Sequence, residues 1–184
     1  MKTQFTKLSR HSVIALAVGA LCLSGSAFAA DTAMKKDTAM KKDSGMKMAD
    51  QDKDFMMAAA KGGMDEVEMG KMAEKMGQSA DVKSFGKQMV TDHSKANKEL
   101  MGLAKKKGVT LDTSSKPEKM ESSKFDHEYM EEMVKDHEKD VADFEKEAKS
   151  GKDADVKAWA SKTLPTLKSH LQMAKDIQGK MKKS

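Results

Sequence analysis

The chain has 184 residues, one cysteine, and 34 Lys plus Arg against 29 Asp plus Glu, a formal charge of +5. That length suits one domain, and a single cysteine excludes a disulfide framework. Aromatic residues are only 4% of the chain and no basic patch is interleaved with them, so the positive charge does not read as a nucleic-acid surface.

The first segment reads as a secretory signal peptide over residues 1–29. Lys2, Lys7 and Arg10 form a basic start, and Val13 to Leu23 is an apolar run of eleven residues, too short for a stable membrane anchor. Ala27-Phe28-Ala29 supplies the small-x-small cleavage pattern. Leu21 precedes Cys22 where a lipoprotein signal needs a small residue, so no lipid anchor is expected. Cleavage would remove the cysteine and leave 155 residues with 31 basic against 29 acidic groups. The expected product is exported to the periplasm, nearly neutral, and without a transmembrane segment.

Residues 30–50 read as a low-complexity tail. Asp31-Thr-Ala-Met-Lys-Lys36 repeats as Asp37-Thr-Ala-Met-Lys-Lys42, and Asp43-Ser-Gly-Met-Lys-Met48 is a degraded third copy. A six-residue period advances each Met by about 240° around a helix, so Met34, Met40 and Met46 form no stripe. With so little apolar side chain the segment cannot offset its ordering entropy and is expected to be disordered. Thioether capture of Cu(I), with Met46 and Met48 closest in sequence, is the rival reading of the tail. Met abundance throughout the chain weighs against it.

From residue 51 to 182 the apolar pattern is helical, with no sustained strand alternation. It predicts helices over 52–76, 80–107, 123–149 and 153–181. Gly77 and Ser79 break the first from the second, Gly108 stops the second, and Ser150-Gly151 makes the next turn. Pro165 predicts a kink or break near Thr163. The second and fourth helices open alike, Ala80-Asp-Val-Lys-Ser-Phe85 and Ala154-Asp-Val-Lys-Ala-Trp159. The expectation is an all-α, ferritin-like four-helix bundle of two hairpins joined by a long crossover. The 14 residues of 109–122 reach about 45 Å extended, just enough to run the length of a 27-residue helix of about 40 Å.

Helical stepping places Phe55, Ala59, Gly62, Met69, Ala73 and Met76 on the inner face of the first helix, with Glu66 at its centre. The second gathers Val82, Phe85, Gly86, Met89, Ala96, Leu100 and Leu103 around His93. The third gathers Met130, Met133, Val141, Phe144 and Ala148 around His137. The fourth gathers Val156, Trp159, Thr163, Leu167, Ala174 and Ile177, with His170 among them. Each helix thus contributes one ionisable residue, with Glu66, His93 and His137 near mid-height and His170 up to about a turn from it. His127 falls off the stripe and should be exposed.

Two readings of this quartet compete. One is a structural polar layer that fixes helix register, in which His pairs a buried carboxylate. The other is a metal site, since one carboxylate and three imidazoles suffice for a first-row ion and bundle cores commonly hold such sets. Asp92, Asp136 and Asp140 would then accept from the imidazole N–H groups, or Asp140 would itself ligate. An enzyme using His as general base beside Asp92 or Asp136 is a third reading. No nucleophilic cysteine, glycine-rich loop or triad-like motif accompanies it, so the chain is read as non-enzymatic.

The paired phrases Met89-Val90-x-Asp92-His93-Ser94-x-Ala96-Asn97 and Met133-Val134-x-Asp136-His137 stand with Asp54-Phe55 through Glu66, Phe125-Asp126-x-x-Tyr129 and Leu164-Pro165-x-Leu167-x-x-His170-Leu171. Together they resemble the exported bacterial ferritin-like family known as domain of unknown function 4142, often labelled predicted outer membrane protein. The resemblance covers about residues 50–180 and implies a ferritin-like bundle of the cell envelope, with no established activity. Neither a barrel pattern nor a lipid anchor supports outer-membrane residence. Di-iron carboxylate bundles place Glu three residues before His. Val90, Val134 and Leu167 hold those positions here, which argues against di-iron chemistry. A single zinc or copper ion is the metal such a quartet would take. The expected function is that of a non-enzymatic envelope or stress factor, with single-metal binding as the alternative.

Overall fold

The computed structural model describes residues 48–117 and 119–183. The expected signal peptide and residues 30–47 of the expected tail lie outside them. The described residues form four helices: α1 (Asp50–Met76), α2 (Ala80–Lys107), α3 (Phe125–Ser150) and α4 (Ala154–Met181). They contain no strand.

The turns explain why helices of this length stop where they do. Ser79 caps α2 by accepting from the Val82 N–H at 3.1 Å. Gly108 ends α2 in the left-handed region at φ 68°, a conformation glycine adopts without steric cost. Asp153 caps α4 by accepting from the Asp155 and Val156 N–H groups. Two further carboxylates tie the turns to distant helices. Asp126, at the start of α3, accepts from the Gln78 and Ser79 N–H groups, each at 2.8 Å. Buried Asp52, at the start of α1, accepts from Lys152 N–H at 2.9 Å and Asp153 N–H at 2.7 Å.

These ties set the helix directions. α3 begins beside the α1–α2 turn, so the connection from Lys107 to Phe125 returns along the whole bundle. On the way Ser115 Oγ and the Lys116 N–H donate to Asp65 Oδ1, midway along α1. Lys107 at the end of α2 pairs with Asp153 and Asp155 at the start of α4. Lys180 near the end of α4 pairs with Asp81 near the start of α2. The order is therefore two antiparallel hairpins joined by a full-length crossover, with α1 against α3 and α2 against α4 as the remaining neighbours. Within the first hairpin Gly70 and Gly86 meet where the helices cross. A Cβ on Gly70 would lie 2.8 Å from the Gly86 carbonyl oxygen, so only glycine allows this approach.

The apolar core is in two halves. Near the α1–α2 turn it contains Met69, Val82, Phe85, Met89, Tyr129 and Met133. Toward the opposite end it contains Met56, Leu100, Phe144, Val156, Trp159 and Leu167. Glu66, His93, Asn97, His137 and His170 are the buried polar side chains between the halves.

Two expectations need correction. The inner face of α1 is centred on Met56, Ala60, Gly63, Glu66, Val67 and Gly70 rather than on Phe55, Ala59 and Gly62. α1 packs against both α2 and α3, so its buried arc is wider than one stripe and is turned toward the glycine contact. α4 also does not break at Pro165 but continues from Ala154 to Met181. Trp159, Ala160, Leu167 and His170 on either side of the proline are all buried. Burying such side chains contributes about 1.5–3 kcal/mol for each large one, which outweighs a proline cost of about 3 kcal/mol.

Candidate metal centre

Glu66, His93, His137 and His170 come from four different helices and converge on one layer. All are buried, with relative exposures of 2%, 5%, 0% and 1%. The three imidazole rings form a compact triangle, with centroid separations of 5.6, 5.3 and 5.4 Å. Each ring offers one nitrogen that lies within 4.8 Å of those of the other two.

The outer partners decide which nitrogen of each ring carries hydrogen. His137 Nδ1 lies 2.9 Å from the Met133 carbonyl oxygen, which can only accept, so Nδ1 is the protonated atom. His170 Nε2 lies 2.8 Å from Asp92 Oδ2. Burial alone would raise the Asp92 carboxyl, but hydrogen bonds from Gln88 and His170 outweigh it and hold the group below its ordinary range. As an acceptor, ionised Asp92 fixes His170 with hydrogen on Nε2. His93 Nδ1 lies 2.9 Å from Glu66 Oε2, and the carboxylate form of Glu66 accepts from it. The opposite nitrogens, His93 Nε2, His137 Nε2 and His170 Nδ1, are buried without a hydrogen-bond partner.

Electrostatics keeps these three nitrogens as free lone pairs. Burial pushes His93 and His137 down to about 4, and His170 is also lowered by burial. All three rings are therefore neutral at physiological pH. Burial pushes Glu66 up to about 7, opposed by the nearby His137. Three neutral imidazoles, oriented by a carboxylate, a carbonyl and a second carboxylate, are the ligand arrangement metal centres use to fix ring tautomers. An unpartnered buried acceptor costs about 1–3 kcal/mol, and the imidazole triangle holds three. A metal would satisfy all of them together, so the donor set fits such an ion. Beside the triangle is a cavity of about 20 Å³ bordered by Glu66, His93 and His170, large enough for one water molecule.

The sequence-predicted residues are placed unequally. His93, His137 and His170 share the centre. Glu66 sits outside the triangle as the partner of His93 Nδ1, and its Oε1 is 3.5 Å from His137 Nδ1. Asp92 holds a ring nitrogen, that of His170 rather than of its sequence neighbour His93. Asp136 and Asp140 are half-buried and border a cleft with Glu66. Among the described residues no imidazole hydrogen bond reaches either of them. His127 is exposed on the surface. The positions three before His137 and His170 are apolar, Val134 packed against one core half and Leu167 buried in the other.

Three contributors were missed by the sequence reading. Gln88 donates to Asp92 at 2.6 Å and lies one turn before it. Asn97 lies one turn after His93, is buried, and donates to Met64 Sδ at 3.5 Å. Helical spacing alone signals both. The Met133 carbonyl leaves no side-chain signal at all.

Comparison with known proteins bears on fold and family. The fold is similar to a solved structure, "CopM in the Cu(I)-bound form", with a TM-score of 0.57 and 14% identity, covering 68% of this chain and 93% of that one. No curated protein matches the chain. A family model described as "Domain of unknown function (DUF4142)" matches residues 37–177, most of the chain. The chain belongs to the DUF4142 family.

Proposed function

We propose that this protein binds a single copper ion as Cu(I) in the His93–His137–His170 triangle, as an exported, non-enzymatic metal-binding bundle. The observation that carries this reading is the set of three buried imidazole nitrogens without partners, one from each of α2, α3 and α4. Copper would be held by His93 Nε2, His137 Nε2 and His170 Nδ1. Glu66 and Asp92 would stay outside, each fixing one ring, with Glu66 balancing the added positive charge. Imidazole suits copper, and three donors satisfy a monovalent d¹⁰ ion. The likeness of the fold to a Cu(I)-bound protein supports copper over other metals. No helix among the described residues is long and apolar enough to cross a membrane. Release into the periplasm follows from the signal-peptide reading of residues 1–29. The non-enzymatic reading rests on the sequence, which carries no nucleophilic cysteine in the mature chain, no glycine-rich loop and no triad-like motif.

Zinc is the second reading, because that cavity could hold the water that completes a three-imidazole zinc site. Titration against a Cu(I) chelator, with zinc measured in parallel, separates them. The expected result is one Cu(I) per chain, bound more tightly than Zn²⁺ and lost when any of the three histidines becomes Asn. Failure to hold copper, or copper binding that survives His137→Asn, contradicts the assignment.

A further inference from the structure

The three imidazoles are buried, yet two small cavities lead to them from the surface between α2 and α4. The outer cavity, about 90 Å³, has Lys95, Glu99 and Lys162 at its rim. Its other walls are Asp92, Ala96, Thr163 and Thr166. The same four residues wall the inner cavity of about 20 Å³ that borders His93 and His170. They are therefore the partition between the outer space and the triangle. None of the four is fully buried. Ala96 and the two threonines are small, and part-exposed side chains of this kind change rotamer within nanoseconds. The Asp92 side chain is 26% exposed, and its hydrogen bonds from Gln88 and His170 both go to Oδ2. Across the mouth Lys162 Nζ lies 2.9 Å from both Glu99 oxygens. An exposed ion pair is weak, so it does not lock the seam. The opposite approach is closed. A larger cleft of about 580 Å³, between α1, α3 and the crossover, also reaches the inner cavity's border at Glu66 and Asp140. Glu66 is buried there, with Oε2 2.9 Å from His93 Nδ1 and Oε1 3.5 Å from His137 Nδ1. An ion arriving from that side would have to part this carboxylate from both rings.

We propose that the ion enters and leaves the triangle through the α2–α4 seam, between Asp92 and Ala96 on one side and Thr163 and Thr166 on the other, with the Asp92 carboxylate as its first contact. This rests on the reading of the triangle as a copper site. The seam ends on His93 and His170, two of the three residues that would hold the ion. Passage needs movement of small side chains only, whereas the pairing of Glu66 with His93 stays intact. Thr166 touches neither the ion nor its ligands in this account. Its bulk sets how fast the ion passes and leaves how tightly it is held unchanged.

The test is the rate of Cu(I) exchange, measured without oxygen. Loaded chain is mixed with a saturating chromophoric Cu(I) chelator for release, and metal-free chain with the Cu(I)–chelator complex for loading. Thr166→Leu should slow both rates about tenfold or more, as a modest added barrier does, with affinity unchanged. Thr166→Ala should speed both. Gly62→Leu is the control in the opposite cleft, where an added Cβ meets nothing within 4 Å, and it should change neither rate. Circular dichroism reports folding, and Thr166→Ala alone carries the test if Thr166→Leu does not fold. Unchanged rates in the Thr166 variants overturn the route. So does slowing by Gly62→Leu, which would put the entrance in the α1–α3 cleft. A Thr166→Leu effect on affinity in place of matched rate changes also overturns it. No copper held by the native chain would sink the copper reading and the route together, whereas unchanged rates in a chain that holds copper sink the route alone.

Discussion

The glutamate in the middle of α1 is the residue whose role the structure changes most. Pattern places Glu66 beside three histidines as an equal fourth ligand. Geometry places it behind His93, 2.9 Å from Nδ1. A buried carboxylate raised to about 7 is costly to ionise; the nearby His137 and then Lys139 oppose that rise, while the His93 N–H faces its Oε2. Glu66→Gln therefore tests whether Glu66 orients or ligates. The amide oxygen can still accept from Nδ1, while the negative charge is gone. Copper affinity should fall about 10–100-fold with stoichiometry kept at one, the size of effect expected for an outer partner. The metal-free variant should melt no lower than the native chain, since removing a buried charge does not weaken the core. Chelator competition and thermal unfolding check the two parts. Loss of stoichiometric binding would return Glu66 to the ligand set.

At the level of elements, the helix ends hold the layer at its height. Asp153 caps α4 and, with Asp155, receives Lys107 from the end of α2 at 2.7 and 2.8 Å. Hydrogen bonds from Lys107 and Lys106 pull the Asp155 carboxyl down to about 2, and Asp153 is also lowered despite partial burial. A carboxyl depressed in the folded state adds stability that is complete above its unfolded value near 3.8 and is lost as pH falls toward about 2. Lys107→Met should thus flatten the acid limb of stability between these values while changing stability near neutrality little, because solvent screens the exposed pair. Acid titration followed by circular dichroism measures this, and an unchanged acid limb would show that the contact is idle. The helices themselves were legible because capping residues and glycines punctuate an otherwise unbroken helical pattern. The rotation of α1 was not, because one-stripe stepping cannot register a backbone crossing at Gly70 and Gly86. Continuity through Pro165 was hidden for a related reason: local propensity opposes it and only packing of the flanking side chains overrides it.

For the whole molecule, the crossover turns four amphipathic helices into a centre. It lets α3 start beside the α1–α2 turn, so that residues 27, 44 and 33 positions apart in the sequence meet at one height. Composition and periodicity announced the bundle and put ionisable residues on every inner face. They could not assign partners. Nothing in the repeated Asp-His phrase says that Asp92 would hold His170 while its counterpart Asp136 faces a cleft. That asymmetry leaves three unpartnered imidazole nitrogens facing one another. X-ray absorption spectroscopy of the copper-loaded protein tests this division of labour most directly. The account predicts three imidazole nitrogens around Cu(I), with no sulfur and no carboxylate oxygen, and the same spectrum for Glu66→Gln. A sulfur shell from methionine, or a fourth light ligand that vanishes in Glu66→Gln, would contradict it.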